Sequence, residues 1–429
     1  AALTPIGAAI AARAYALARW RAARLTTRAA VEAHRVRGLH RLGRHLHRHI
    51  PYYRGIDPAR PDGWPVIDKA ELLENFAAMN RAGISLDAVR DALAAGETRI
   101  GDHAIGHSTG TSGNRGYFIV SDAERYVWLG TLLAKALPDA LWRRHRVALA
   151  LPGFSRLYGA AGGGSRVTLG LFDLGEGIDR WAGRLAAFAP DTIVAPPKVL
   201  RELAGRGLIA RGTIAFSAAE VLDPVDVPAI EAATGRPLRQ IYMATEGLLG
   251  VSCDHGTLHL AEDVVAFEWE AAGDSGLVQP VVTDMTRRAQ AMVRYRMNDL
   301  LRLDPRTCTC GSALQAVAAV AGRCDDLFVL PGSAGPVTVT PDVLRNAVID
   351  ADRRIDDFRI VQTHAAAIAV AIPAGADATA AEAAVARVLA RIGARAAITV
   401  THGIPPTDAT KLRRVRRDWR GDQSSMSAV

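Results

Sequence analysis

The chain has 429 residues, 49% of them hydrophobic and 22% charged, with a formal net charge of +8. That composition excludes disordered and fibrous classes and allows a large buried core. A single core rarely grows past about 250–300 residues, so one large domain and a smaller companion are expected. Of the 52 basic residues only Lys69, Lys135, Lys198 and Lys411 are lysine. An Arg- and Ala-heavy background explains that skew, so the net charge says little about partners, whereas each lysine calls for a reason.

Cys253, Cys308, Cys310 and Cys324 are too few and too clustered for a disulfide scaffold, which points to a reducing compartment. No run of about 18 uncharged apolar residues occurs, so no membrane span is expected. The first 30 residues are rich in Ala and carry Arg13, Arg19, Arg21, Arg24 and Arg28 without an acid. They continue into helical periodicity rather than a cleavage site, which argues for a cytoplasmic protein and against a leader.

In chain order, residues 8–50 read as a helix: Leu39, Leu42, Leu46 and Ile50 recur at helical spacing, and Pro51 ends it. This stretch has ten arginines, five histidines and the single acid Glu32. It reads as a basic amphipathic helix over the core; without aromatic interleaving or zinc-finger spacing, nucleic acid is the weaker partner. From residue 64, helical patterns alternate with apolar runs at Val147–Leu151, Thr192–Ala195, Thr213–Phe216, Gln240–Met243 and Val264–Trp269. Strands between helices predict an α/β fold, with ligand loops beyond strand ends. After Gly332 the pattern predicts a compact α+β module. Its elements are a helix at Pro341–Ile349, strands at Phe358–Thr363 and Ala367–Ile372, an Asp377-capped helix at Ala378–Arg391, and a strand at Ala397–Thr401. The expected division is residues 1–325, a large domain of β-sheet flanked by helices, and 326–429, a small α+β domain.

Four segments carry chemistry. His107 to Gly116 interleaves hydroxyls with glycines: Ser108, Thr109, Gly110, Thr111, Ser112 and Gly113 can cradle an anion, with Arg115 adding charge. The Walker A spacing is absent, and an ordinary turn is the alternative. Tyr242-Met243-Ala244-Thr245-Glu246-Gly247 leaves a strand with an acid, suited to Mg²⁺ beside phosphates or to plain solvation. In Arg294 to Asp299 a carboxylate follows a basic strand, and either a sugar diol or a surface ion pair would satisfy it. Gly322-Arg323-Cys324-Asp325-Asp326 lies at the proposed boundary, as a hinge or a linker.

Taken in order, these segments resemble the adenylate-forming (ANL) ligases of the phenylacetate-CoA ligase type, including sequences related to coenzyme F390 synthetase. The resemblance spans nearly the whole chain. His49-Ile50-Pro51-Tyr52-Tyr53 and Trp64-Pro65-Val66-Ile67-Asp68-Lys69 resemble that branch's early segments, and Ser108–Gly116 its phosphate loop. Ser217-Ala218-Ala219-Glu220 falls at its adenine segment. The later segments resemble its Y-x-x-T-E-G, R-Y-x-x-x-D and G-R-x-D-D motifs.

The resemblance implies ATP-dependent adenylation of an aryl or medium-chain carboxylic acid with release of pyrophosphate, then transfer to a thiol, CoA or an acyl-carrier protein. It assigns the phosphates to the 108–116 loop, adenine to Ala219 and Glu220 with Tyr242 and Thr245 nearby, Mg²⁺ to Glu246, and the ribose to Asp299 with Arg323. Asp325 becomes the pivot of a mobile small domain. Lys411, in Ile404–Arg413, becomes the catalytic cation between carboxylate and α-phosphate, where a compact ammonium fits better than a guanidinium. Tyr158, Phe216 and Met243 are expected along the acyl pocket, and a homodimer is admitted. The loop departs from many relatives in having Arg115 and Gly116 where they carry proline and lysine.

Cys308-Thr309-Cys310 with Cys253 and His255 or His259 offers either a closed tetrahedral Zn²⁺ site or free buried thiols. The resemblance favours Cys253, His259, Cys308 and Cys310, from a C-x5-H plus C-x-C arrangement seen in some phenylacetate-type ligases. Two other functions compete with the thiol ligase: an adenylyltransferase that places AMP on a phenol or other hydroxyl, and a basic non-enzymatic protein that binds nucleic acid or an anionic surface through residues 8–50.

Overall fold

The computed structural model describes residues 4–108, 115–151, 166–273, 275–405 and 412–419. The basic amino-terminal stretch forms two helices, not one. α1 (Pro5–Arg24) and α2 (Arg28–His49) are separated at 25–27, where the Thr27 hydroxyl accepts from the Ala30 N–H and starts a new helix. α2 buries Leu39, Leu42 and Leu46 against Ala266, Met285 and Val293 and turns Arg37, Arg41, Arg44 and Arg48 outward. Its apolar stripe therefore covers the core, as the periodicity predicts. α3 (Lys69–Glu74) and α4 (Leu86–Ala94) follow, capped by Asp68 and Ser85.

A three-stranded antiparallel sheet comes next: β1 (Arg99–Ile100), β2 (His103–His107) and β3 (Tyr117–Ser121). β2 and β3 hold the two ends of the Gly/Ser/Thr segment, with His107 paired to Tyr117. α5 (Asp122–Ala136) starts from a capping box in which Ser121 and Glu124 satisfy each other's backbone N–H groups.

The central sheet has 12 strands. Its parallel half contains β4 (His145–Leu151), β5 (Val167–Asp173), β6 (Thr192–Ala195), β7 (Ile214–Ser217) and β8 (Arg239–Ala244), in spatial order β5-β4-β6-β7-β8. α6 (Ile178–Phe188), α7 (Pro197–Gly205) and α8 (Val227–Thr234) alternate with these strands. Parallel strands covered on both faces read as continuous apolar runs, which is why β4, β6, β7 and β8 were visible in the sequence.

At β8 the pairing turns antiparallel. It continues through β9 (Gly247–Ser252), β10 (Leu258–Leu260), β11 (Val265–Ala271), β12 (Val278–Asp284), β13 (Tyr295–Arg296), β14 (Asp299–Asp304) and β15 (Ala316–Arg323). Of these only β11 was expected from the sequence: β10 and β13 are three and two residues long, β9, β12 and β14 are interrupted by Gly, Pro or Arg, and the Ala/Val run of β15 was not foreseen.

β15 ends at Arg323, and after the turn Cys324–Asp326 a new hydrophobic cluster forms around Phe328, Leu344, Phe358, Ile360 and Val370. It comprises the hairpin β16 (Phe328–Gly332) and β17 (Gly335–Val339), α9 (Pro341–Ile349), β18 (Arg359–His364), β19 (Ala367–Ile372), α10 (Ala378–Arg391), β20 (Ala397–His402) and β21 (Val415–Arg417). The four-stranded order is β20-β19-β18-β21. Asp377 caps α10 by accepting from the Ala380 N–H. β21 was not foreseen; it pairs parallel to β18 and brings residues 412–414 to the large sheet's ligand end. Among the described residues no helix is long and apolar enough to cross a membrane.

Candidate active site

In β8 and β9, Ala244 faces Gly247, so Thr245 and Glu246 form a two-residue hairpin tip rather than the end of a lone strand. Gly247 has φ +152°, and a Cβ there would stand 2.9 Å from Asp284 Oδ2, so glycine is required for this close approach. Glu246 lies on the wall of a cavity of about 1530 Å³ between the central sheet, α5, α3 and the last residues of the described chain. The Thr245 hydroxyl donates to Glu246 Oε2 at 3.0 Å. Burial raises the Glu246 carboxyl above its ordinary value, with Arg287 pulling the other way. Arg287, itself buried, donates to the Thr245 carbonyl and steadies the tip.

Across the cavity the Tyr242 hydroxyl donates to Asp299 Oδ2 at 2.7 Å. Burial, followed by the Asp299 charge, pushes the phenol well above its usual range, so it stays a donor. Asp299 and Arg323 are register partners on β14 and β15, with Arg323 Nε 3.8 Å from Asp299 Oδ1. One residue earlier, Asn298 Nδ2 donates to Asp325 Oδ2 at 2.7 Å. The diol-binding candidate and the pivot candidate are thus held by adjacent residues of one strand entry.

The neck of the Gly/Ser/Thr segment is closed by a reciprocal pair. Ser108 N–H donates to the Gly116 carbonyl at 2.7 Å, and Gly116 N–H to Ser108 Oγ at 2.9 Å. Thr109, Gly110, Thr111, Ser112 and Gly113 lie outside the described residues. Arg115 departs from expectation: it is exposed beyond the neck and does not line the cavity. Lys69, the first residue of α3, does line it. A Cβ at Gly116 would sit 3.7 Å from Lys69 Cε, 3.6 Å from Ser108 Oγ and 3.8 Å from Thr245 Oγ1. Burial lowers the Lys69 pKa while the Glu246 and Asp325 charges oppose that shift. The Trp64–Lys69 segment by itself assigns Lys69 no task; the scarcity of lysine, four among 52 basic residues, is the signal that singles it out.

Ala219 has φ +69°, a left-handed backbone that alanine adopts only when its surroundings impose it. It turns Glu220 into the cavity, where Glu220 Oε1 accepts from the Leu412 N–H at 3.0 Å and stands 3.5 Å from Lys198 Nζ. Leu412, Arg413 and Arg414 all line the cavity, and Arg413 pairs with the buried Asp326. Lys411 lies outside the described residues.

The apolar wall is built by Trp128 of α5, Leu151 at the end of β4, Leu169 within β5 and Met243 of β8, with Thr131 among them. Phe216 departs from expectation. Its ring is fully buried beneath the Arg239 guanidinium, 4.5 Å away, and it is the next residue, Ser217, that reaches the cavity. Adjacent strand residues point to opposite faces, so one position of offset exchanged pocket for core. Tyr158 lies outside the described residues.

On the far side of β8, Cys253, His259, Cys308 and Cys310 present one ligand atom each, all within 4.8 Å of one another. Cys253 and Cys308 Sγ are 3.8 Å apart, and Cys310 Sγ is 3.3 Å from His259 Nε2. His259 Nδ1 is 3.1 Å from the Leu314 carbonyl, which can only accept, so Nδ1 carries the proton and Nε2 faces the thiols with a lone pair. Three thiols and an imidazole at this separation fit tetrahedral Zn²⁺ without adjustment of the backbone.

Comparison with solved structures places the fold. The chain superposes on 2-hydroxyisobutyryl-CoA ligase in the postadenylation state with 2-HIB-AMP at a TM-score of 0.67, with 20% identity over 91% of this chain and 89% of that one. Against the same ligase with 2-HIB-AMP and CoA in the thioesterification state the TM-score is 0.56, with 20% identity over 92% and 91%. ATP-bound MatB from Rhodopseudomonas palustris gives 0.51, with 15% identity over 88% and 91%. No family model matches the sequence, and no curated protein does. The chain shares the fold of these solved structures, with a large mixed sheet and a small carboxyl-terminal body.

Proposed function

We propose that the protein activates a carboxylic acid as its acyl-adenylate with ATP and then passes the acyl group to a thiol, with CoA the favoured acceptor. One observation carries this reading. The Ser108–Gly116 neck, the Glu246 hairpin tip, the Tyr242–Asp299 pair, Arg323 and Leu412 converge on one cavity, though they come from five separate stretches of chain. The solved neighbours of this fold hold acyl-AMP, ATP or CoA.

In the first step a substrate carboxylate oxygen bonds to the α-phosphorus of ATP and pyrophosphate leaves, a displacement that needs alignment and charge neutralisation more than covalent help. Asp299, oriented by Tyr242, takes the ribose hydroxyls. The 108–116 loop and Lys69 receive the departing phosphates. Glu246 fits a Mg²⁺ beside them, since it is a buried carboxylate whose charge calls for a partner. Lys411 immediately precedes Leu412, a cavity residue, and is assigned the bridge between carboxylate and α-phosphate. The apolar wall of Trp128, Leu151, Leu169 and Met243 suits an aryl or medium acyl chain. In the second step the thiol sulfur bonds to the acyl carbon and AMP leaves, after residues beyond Asp325 rotate to withdraw Lys411. Cys253, His259, Cys308 and Cys310 are assigned a structural Zn²⁺ remote from this chemistry.

The decisive experiment supplies ATP, Mg²⁺ and a panel of carboxylic acids with and without CoA, and follows pyrophosphate release and thioester formation. Acid-dependent pyrophosphate exchange that falls about 100-fold in Lys411→Ala supports the reading. AMP transferred to a hydroxyl compound with no thiol requirement would replace the second step, and absence of any acid-dependent exchange would sink the first.

A further inference from the structure

Arg414 is charged yet has almost no contact with water, its side chain being 3% exposed. Its Nη1 donates to Asp223 Oδ2 at 2.8 Å and Asp226 Oδ2 at 2.6 Å, its Nη2 to Asp226 Oδ1 at 2.9 Å, and its Nε to Asp357 Oδ1 at 2.7 Å. Asp223 and Asp226 lie between β7 and α8, in the body built on the large sheet; Asp357 and Arg414 flank β18 and β21 in the carboxyl-terminal body. Three more arginines complete the cluster. Arg345 of α9 stands 3.5 Å from Asp223, Arg201 of α7 is 3.6 Å from Asp226 and 2.9 Å from Asp356, and Arg359 is 2.8 Å from Asp357. Arg201, Arg345, Arg359 and Arg414 therefore balance Asp223, Asp226, Asp356 and Asp357, and the balance exists only while the two bodies touch. Apart, the large body keeps two carboxylates and one arginine, and the small body three arginines and two carboxylates.

We propose that this cluster is a latch that holds the carboxyl-terminal body over the cavity, with Arg414 as the positioning residue that seats the Leu412 backbone on Glu220; the proposal rests on the two-step ligase reading. The distance is short: Arg414 follows Leu412 by two positions, at most about 7 Å of chain. Fixing the guanidinium among three carboxylates fixes the segment that delivers the preceding lysine.

The chemistry of the contact suits a surface that must part in every cycle. For buried ions the gain from attraction is largely cancelled by lost hydration, so such a contact dictates position with little net adhesion. An apolar face of similar area would hold at roughly 25 cal/mol per Å² and resist opening. Water entering a partly opened contact weakens it further, because attraction between the ions falls steeply as the local dielectric rises.

The test separates geometry from chemistry. Arg414→Gln and Asp226→Asn, one change in each body, are compared with the unaltered chain by small-angle X-ray scattering without substrates, by pyrophosphate exchange, and by transfer of the acyl group from a supplied acyl-adenylate to CoA. Both variants are expected to scatter as a more extended particle and to lose exchange by about 100-fold or more, as removal of one partner from a buried ion pair implies. Thioester formation from the supplied adenylate is expected to stay within about threefold. Arg414→Lys should recover part of both losses, because an ammonium keeps the charge without the forked donors. Circular dichroism confirms folding; if Arg414→Gln is unfolded, Asp226→Asn and the less buried Arg201→Gln decide the matter. Unchanged scattering in the folded variants overturns the latch, as does equal loss in both half-reactions. If the unaltered protein exchanges no pyrophosphate, the ligase reading fails and scattering alone decides the latch.

Discussion

The Tyr242 phenol occupies Oδ2 of Asp299 at 2.7 Å, while Oδ1 of the same carboxylate faces Arg323 Nε across 3.8 Å. One oxygen is thus held by a short bond within the sheet and the other by a loose contact that a ligand can share. A vicinal diol that donates to Asp299 would meet a carboxylate already oriented. Tyr242→Phe should therefore raise KM for ATP about fivefold with little change in kcat, as expected for one hydrogen bond to a charged group. Asp299→Ala should cost about 100-fold or more in kcat/KM for ATP. Steady-state kinetics with ATP varied checks both, and an unaltered KM in the two variants would place the ribose elsewhere.

Lys69 enters the space that the absent side chain of Gly116 leaves open. Where a loop lysine is missing, an ammonium from α3 reaches the same neighbourhood beside Ser108 and Thr245. Lys69→Met should reduce pyrophosphate exchange by about 100-fold, the loss typical of one transition-state donor. Gly116→Lys in that background should restore part of it, because the new side chain starts within contact distance of the vacated site. A Lys69→Met protein with full exchange activity would exclude this ammonium from the phosphate end.

Four of the five parallel strands were legible, and β6, buried on both faces, reads directly as Thr192–Ala195, whereas the partly buried edge strand β5 was not foreseen. The carboxyl-terminal helices were legible for a local reason, a Pro at the start of α9 and an Asp cap on α10. The antiparallel half was not: β10 and β13 are too short to show periodicity and gain their order from neighbours far away in sequence. The same division holds at the site. Glu246, Asp299 and Arg323 sit in recognisable local motifs, and the cavity brings them together. Lys69 and Arg287 reach it from segments whose local sequence announces nothing, and Arg115 and Phe216 fail because a neck and a strand face are properties of three-dimensional pairing. The Arg414 cluster combines residues up to 213 positions apart, from Arg201 to Arg414, so no window could show it.

The cysteine–histidine group joins the β9–β10 turn to the loop between β14 and β15. Protein purified without chelator is expected to contain about one zinc per chain, and Cys310→Ser or His259→Ala to contain little. Because bound metal stabilises only the folded state, metal removal should lower Tm by about 3–6 °C. Since none of the four residues lines the cavity, pyrophosphate exchange well below that Tm should fall less than threefold or so. Elemental analysis with thermal melting decides the point; zinc-free protein with unchanged Tm in both variants would leave three ordinary thiols and an imidazole.

Glu246 carries a charge that the fold opposes until a ligand arrives. Burial raises its folded-state pKa, so the protonated form is favoured by folding. The sign follows from linkage: this group contributes stability at acid pH, and that contribution is lost as the pH rises through its folded value. Glu246→Gln keeps the shape and removes the charge. The unliganded variant should therefore melt about 2 °C above the unaltered protein at pH 8, with the difference closing toward pH 5. With ATP and Mg²⁺ the order should reverse, because the carboxylate then has a cation to hold and the amide has none. Melting curves at the two pH values, with and without MgATP, test both halves. A Gln variant less stable than the parent at pH 8 without ligand would show that the Glu246 charge is already well paired in the empty cavity and is not reserved for a metal-bound nucleotide.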